Sequence, residues 1–263
     1  MKNQTNQADL VRQVSVIIAT VATIIMNILA NTLPLNGQNT GDISDRFPVL
    51  FVPAGYVFSI WGLIYIGLIA FTIFQALPAQ RANPRMRAIG WVYVLSSAAN
   101  IAWLFFWHYN IFALTIVAML VLLGALITIY LRLGTGRKNV PPLEHWMSRI
   151  PFSIYLGWIT VATIANATDV IYLTGWNGAP LTPEIWTVIL LAAALLITAT
   201  LLFTRRDVAY ALVIIWATYG IAVKQSAAAL VPTAAIATAA LVALLVVLTL
   251  LRLTPKRFTA AAA

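Results

Sequence analysis

Residues 111–138 read IFALTIVAMLVLLGALITIYL followed at once by RLGTGRK. No charged side chain interrupts Ile111 to Leu131, and a helix needs about 20 apolar residues to cross the hydrocarbon core. The run is far longer than the about 9–11 residues of a membrane barrel strand and lacks its alternation. The Arg132, Arg137 and Lys138 cluster that ends it is what a polytopic chain leaves on the cytoplasmic side of a span.

The rest of the chain repeats this pattern. Apolar runs at Val14–Leu33, Ala54–Leu77, Ala88–Trp107, Ile150–Leu173, Pro183–Phe203, Val208–Val223 and Pro232–Leu251 bring the expected spans to about eight, the seventh being the shortest. The chain is 62% hydrophobic and 9% charged, with a mean hydropathy of +0.91. Soluble domains average about a quarter charged residues. The predicted fold class is therefore all-α, a polytopic helical membrane bundle.

Charge tests the layout. With the N-terminus in the cytoplasm, Lys2, Arg12, Arg81, Arg85, Arg87, Arg132, Arg137, Lys138, Arg149, Arg205, Arg206, Arg252, Lys256 and Arg257 all fall inside. Only Arg46 and Lys224 fall outside, with Asp42, Asp45, Asp169 and Glu184 outside or at that rim. Removing one span would invert every loop after it and destroy this positive-inside bias. The net charge of +9 is thus read as loop charge that touches lipid headgroups, with no nucleic-acid partner. Both termini are expected in the cytoplasm. The first run has a basic flank but no small-x-small cleavage site, so it reads as a retained span. The longest connections, about Pro34–Pro53 and Arg132–Arg149, leave no room for a soluble domain. The polar segment Gly37–Arg46 reads as a loop over the outer mouth.

Polar groups within spans are costly in lipid and face the bundle interior. In the third span Ser96, Asn100, Trp103 and Trp107 share one helical face. The Asn100 amide needs a partner, either a neighbouring helix that it glues or a ligand. Phe58, Trp61 and Tyr65 form a stripe on the second span. Tyr155, Trp158, Ala162 and Asn166 form another on the fifth, with Asp169 one turn further out. Converged, the three stripes make an apolar pocket with a few amide and phenol hydrogen bonders, suited to a flat hydrophobic ligand with polar edges. Trp91, Trp146, Trp176 and Trp186 read instead as interfacial belt anchors.

Several chemistries are excluded. No cysteine is present, so there is no disulfide or thiolate chemistry. No acid or base is placed deep in a span. His108 and His145 lie at opposite faces and make no shared metal site; His108 reads as a solvated rim residue in preference to an axial haem ligand. No nucleophile–base–orienter set is visible, so no catalytic residue is assigned. Ala234, Ala235, Ala239 and Ala240 permit close helix packing in the last span, which favours contacts within the chain and leaves a homodimer open.

The three stripes resemble the tryptophan-rich sensory protein, or translocator (TspO/MBR), family. The family's Tyr-Leu-x-Trp, then Ala, then Asn is matched by Tyr155, Leu156, Trp158, Ala162 and Asn166, with Ile154 where the family has proline. Its Asn-x-x-Trp followed by a Phe pair is similar to Asn100, Trp103 and Phe105-Phe106, with a shorter gap before the pair. Its proline-rich entry, Trp-Val-Phe and Val-Trp-x-x-Leu-Tyr look like Pro53, Tyr56-Val57-Phe58 and Trp61 to Tyr65, with Tyr56 where the family has its first Trp and one residue fewer between the two motifs. The resemblance covers 13–173 and implies a five-helix transmembrane core there, with 183–252 as a three-helix extension. It implies a pocket open toward one membrane face and ligands of the porphyrin, tetrapyrrole or sterol type, with a porphyrin or haem entering as ligand and no cofactor required. Trp61, Asn100, Trp103, Tyr155, Trp158 and Asn166 are its pocket residues by matching position. Carboxylates on such a ligand would meet amides, Arg46 or Lys224.

The expected function is a sensor or transporter in a bacterial inner membrane. Two alternatives stay open: a membrane enzyme of isoprenoid or carotenoid metabolism, for which Asp169 is the nearest acid, and a small-solute carrier completed by the extra spans.

Overall fold

The computed structural model describes residues 2–33 and 35–253. Among these there is no strand, as the apolar runs predict. Eight long helices follow one another: α1 (Lys2–Thr32), α2 (Ile60–Ala76), α3 (Pro84–His108), α4 (Phe112–Leu133), α5 (Ile150–Leu173), α6 (Pro183–Arg205), α7 (Val208–Lys224) and α8 (Val231–Leu253). A 3-10 turn, Gly55–Ser59, leads into α2, and a π-helical turn, His145–Arg149, leads into α5. Seven of the helices are long and apolar enough to cross a membrane. The exception is α7, whose 17 residues sit at the short end of the roughly 17–25 that can span. Large apolar side chains such as Ile18, Ile66, Leu196 and Phe203 stand more than 60% exposed. Only a lipid solvent accommodates that outward surface, so the chain is an integral multi-pass membrane protein.

Local chemistry explains the helix ends. Pro84 and Pro183 open α3 and α6, where the missing N–H costs nothing. The Asn83 side chain accepts from Arg85 N at 2.9 Å, and Thr182 Oγ1 accepts from Ile185 N at 3.4 Å. Gly134 ends α4 in the left-handed region at φ 63°.

The first five helices close a ring. α1 packs on α2 and α3, α3 on α4, α4 on α5, and α5 back on α2. The last three pack on one another and reach the ring chiefly where α7 lies on α5. Phe71, Tyr93 and Phe152 fill the ring with centroids 4.8–5.9 Å apart. Tyr93 Oη sits 2.7 Å from Thr20 Oγ1. Ala235 and Ala239 of α8 are buried within the chain.

Two expectations need correction. α1 starts well before Val14, because its polar residues are satisfied by protein. Arg12 donates to the carbonyls of Met86 at 3.1 Å and Arg81 at 2.9 Å. Gln13 donates to Gln75 O at 2.6 Å, and Gln75 returns a bond to Gln13 O at 3.1 Å. Arg87 pairs with Asp9. The basic clusters are also more than solvated loop charge. Arg149 is 3% exposed and forks to Lys138 O at 2.5 Å and Leu133 O at 2.8 Å, capping α4. Arg85 pairs with the buried Glu144. The basic end of the bundle is therefore a stitched layer.

The opposite end is covered by residues 35–59. Asn36 and Gln38 donate to His108 O at 3.0 and 3.2 Å. Trp107 Nε1 donates to Thr40 O at 3.2 Å. A strap, residues 53–59, is held by α7: Ala54 N donates to Gly220 O at 3.0 Å and Trp216 Nε1 to Val57 O at 3.0 Å.

Candidate functional site

The ring encloses a cavity of about 460 Å³ whose wall includes Phe58, Trp61, Tyr65, Asn100, Trp103, Trp158 and Ala162. That volume lies within the roughly 300–1,000 Å³ of small-molecule sites. Periodicity places these side chains together. Phe58, Trp61 and Tyr65 are spaced by three and four residues along the strap and α2, and Trp158 and Ala162 by four on α5, so each set shares a face. The rings meet edge to face: Phe58–Trp158 at 5.5 Å, Trp61–Trp158 at 6.4 Å and Trp61–Tyr155 at 6.0 Å, while Trp61 stacks on Tyr65 at 5.6 Å. Such pairs leave flat faces toward the space between them.

Tyr155, Trp107 and Asn166 stand behind that wall. Tyr155 is buried, and its Oη accepts from Asn100 Nδ2 at 3.0 Å. Asn100 Oδ1 in turn accepts from Asn27 Nδ2 at 2.8 Å. This chain ties α1, α3 and α5 across the pocket floor. Asn100 is both glue and lining, so the two readings of its amide coexist. Asn166 Oδ1 accepts from Trp103 Nε1 at 3.3 Å, and its Nδ2 donates to Thr115 Oγ1 at 2.9 Å. Trp107 stacks on Trp103 at 5.2 Å, holding the ring that faces the cavity.

Several lining residues were not singled out from the sequence. Asn27 and Asn31 of α1, Thr40 and Asp45 of the covering loop, and Pro53 all face the cavity, as does Lys224 at the end of α7, which was expected near a ligand carboxylate. Lys224 Nζ lies 2.7 Å from Asp45 Oδ1. A signal for α1 existed: Thr20, Thr23 and Asn27 recur at helical spacing within an apolar run and are all buried. Arg46 is absent from the wall and donates instead to Asn110 Oδ1 at 2.8 Å.

Two rim assignments are corrected by the covering loop. His108 is fully buried, with Nδ1 2.8 Å from Leu104 O and Nε2 3.4 Å from Thr40 Oγ1. Asp169 is 3% exposed because the loop folds over the end of α5. It lines a side chamber of about 60 Å³ that shares Phe58, Trp103 and Trp158 with the main cavity. Among the described residues no cluster of three His, Cys, Asp or Glu side chains could hold a metal ion. The belt residues Trp91 and Trp146 are 54% and 67% exposed, and Trp176 and Trp186 pack together at 5.3 Å.

No curated protein and no solved structure matches the chain. A family model described as TSPO-like protein matches residues 13–250, running through α6, α7 and α8 as well as the ring. Ring, aromatic stripes and family match agree, and the chain belongs to the TSPO-like protein family.

Proposed function

We propose that the chain is a membrane sensor or transporter that binds a hydrophobic tetrapyrrole- or sterol-like molecule in the 460 Å³ cavity. One observation carries this reading: aromatic faces from the strap and three helices surround a single space whose polar groups are amides, a few hydroxyls and one Lys–Asp pair. Trp61, Trp103 and Trp158 stack on a flat apolar body. Asn27, Asn31 and Asn100 bond its polar edges, and Lys224 offers a positive charge to a carboxylate. In this reading 13–173 is the ligand-binding core and 183–252 an extension that completes its rim through Lys224. The positive-inside bias supports cytoplasmic termini, and the family supports a bacterial inner membrane.

The test is quenching of tryptophan fluorescence by protoporphyrin in detergent. The Trp158→Ala, Asn100→Ala double variant is expected to bind about tenfold more weakly or worse, a loss of about 1.4 kcal/mol. Unchanged affinity would remove the pocket from the proposal.

A further inference from the structure

We infer that the side chamber beside the main pocket is a subsite for an alkylammonium group, anchored by Asp169 and enclosed by Phe58, Trp103, Trp107 and Trp158. The inference deepens the reading of the main cavity as a ligand site and rests on it. Asp169 is 3% exposed, and its carboxylate accepts no hydrogen bond among the described residues. The field of Lys224 reaches it, but that ammonium is bonded to Asp45 at 2.7 Å. His108 on α3 is turned to Leu104 O and Thr40 Oγ1. Neighbouring Asn166 spends its amide on Trp103 and Thr115. Asp169 is thus a buried acid without a partner at the edge of a ligand cavity, and burying such a group uncompensated is costly.

The surrounding rings select the missing partner. Three indoles and one phenyl line the chamber, and aromatic faces attract cations through their quadrupole, most effectively when desolvated. A strongly hydrated inorganic cation gains little from rings, and an anion is repelled by the carboxylate. An ammonium carrying methyl or methylene groups satisfies both the charge and the apolar wall. The chamber's about 60 Å³ holds roughly four water-sized groups, enough for a methylated ammonium head. The main cavity, which shares Phe58, Trp103 and Trp158 with the chamber, then accepts the apolar body, so the ligand class is an aromatic or alicyclic molecule bearing a basic nitrogen.

The experiment uses the full chain in detergent and tryptophan fluorescence. Benzyltrimethylammonium is titrated against neopentylbenzene, in which carbon replaces the charged nitrogen, and protoporphyrin is titrated separately. The wild type is expected to prefer the cation by about tenfold or more. Asp169→Asn is expected to erase that preference while protoporphyrin quenching persists. Equal binding of the two probes by the wild type overturns the subsite whether or not the variant folds. So does a preference retained in Asp169→Asn. An intact ammonium preference with no protoporphyrin quenching supports the subsite and strikes the tetrapyrrole reading alone.

Discussion

Gly220→Ala adds one methyl group to α7 at a position that is already occupied. A Cβ there would lie 2.2 Å from Val57 Cγ2 and 3.2 Å from Pro53 Cβ. Ordinary carbon contacts are about 3.5–4.0 Å, so the strap must retreat by roughly 1.5 Å. It is not free to do so. Val57 is fully buried, and the strap is bonded to α7 through Ala54 N–Gly220 O and Trp216 Nε1–Val57 O, both 3.0 Å. Overpacking of this kind costs about 1–3 kcal/mol. Against it stands the better helix propensity of alanine, about 1 kcal/mol. Gly62→Ala on α2 meets nothing within 4 Å and reports propensity alone. The difference between the two variants therefore isolates the clash. At about 2–4 °C per kcal/mol for a chain of this size, Gly220→Ala should unfold roughly 2–12 °C below Gly62→Ala in a thermal scan of tryptophan fluorescence. Protoporphyrin affinity should fall with it, because Pro53 and Phe58 line the cavity. If Gly220→Ala is as stable as Gly62→Ala, α7 does not clamp the strap and the reasoning fails.

Two further outcomes are expected. Tyr155→Phe keeps the ring but removes the acceptor of the Asn100 amide; thermal unfolding in detergent should show a loss of about 0.5–1.5 kcal/mol, and an unchanged midpoint would show that the Asn27–Asn100–Tyr155 chain carries no stability. Arg149→Lys keeps the charge but cannot fork to Leu133 O and Lys138 O. It should lower the unfolding midpoint, at a cost of about 1–3 kcal/mol, while single-cysteine labelling in this cysteine-free chain finds the topology intact; an inverted loop would mean that Arg149 acts through orientation.

The helices were legible because in lipid each backbone must satisfy itself, so apolar length alone reveals a span. α5 falls at Ile150–Leu173, the bounds its apolar run predicts. The ring stripes on α2, α3 and α5 were legible for a similar reason, since 3.6-residue spacing fixes which side chains share a face. Spacing could not tell wall from backing: Tyr155 and Trp158 belong to one stripe, yet only Trp158 lines the cavity. Hydropathy hid the start of α1, because Asp9, Arg12 and Gln13 find partners 62 to 78 residues away. The burial of Asp169 and His108 depends on how a polar loop folds back over two helix ends, and no local pattern encodes that. The role of α7 was equally hidden, since Gly220 matters only through the strap it meets.

The clamp on the strap also sets an order of events during synthesis. Trp216 is made 159 residues after the Val57 carbonyl it grips, and Lys224 follows it. A chain that has inserted its ring of five helices still has an unfastened strap. The rim is latched only once a helical hairpin from the far end of the polypeptide has entered the membrane beside it. Nascent chains released early would carry the cavity with its strap unlatched, so the closed rim belongs only to a chain whose α7 is in place.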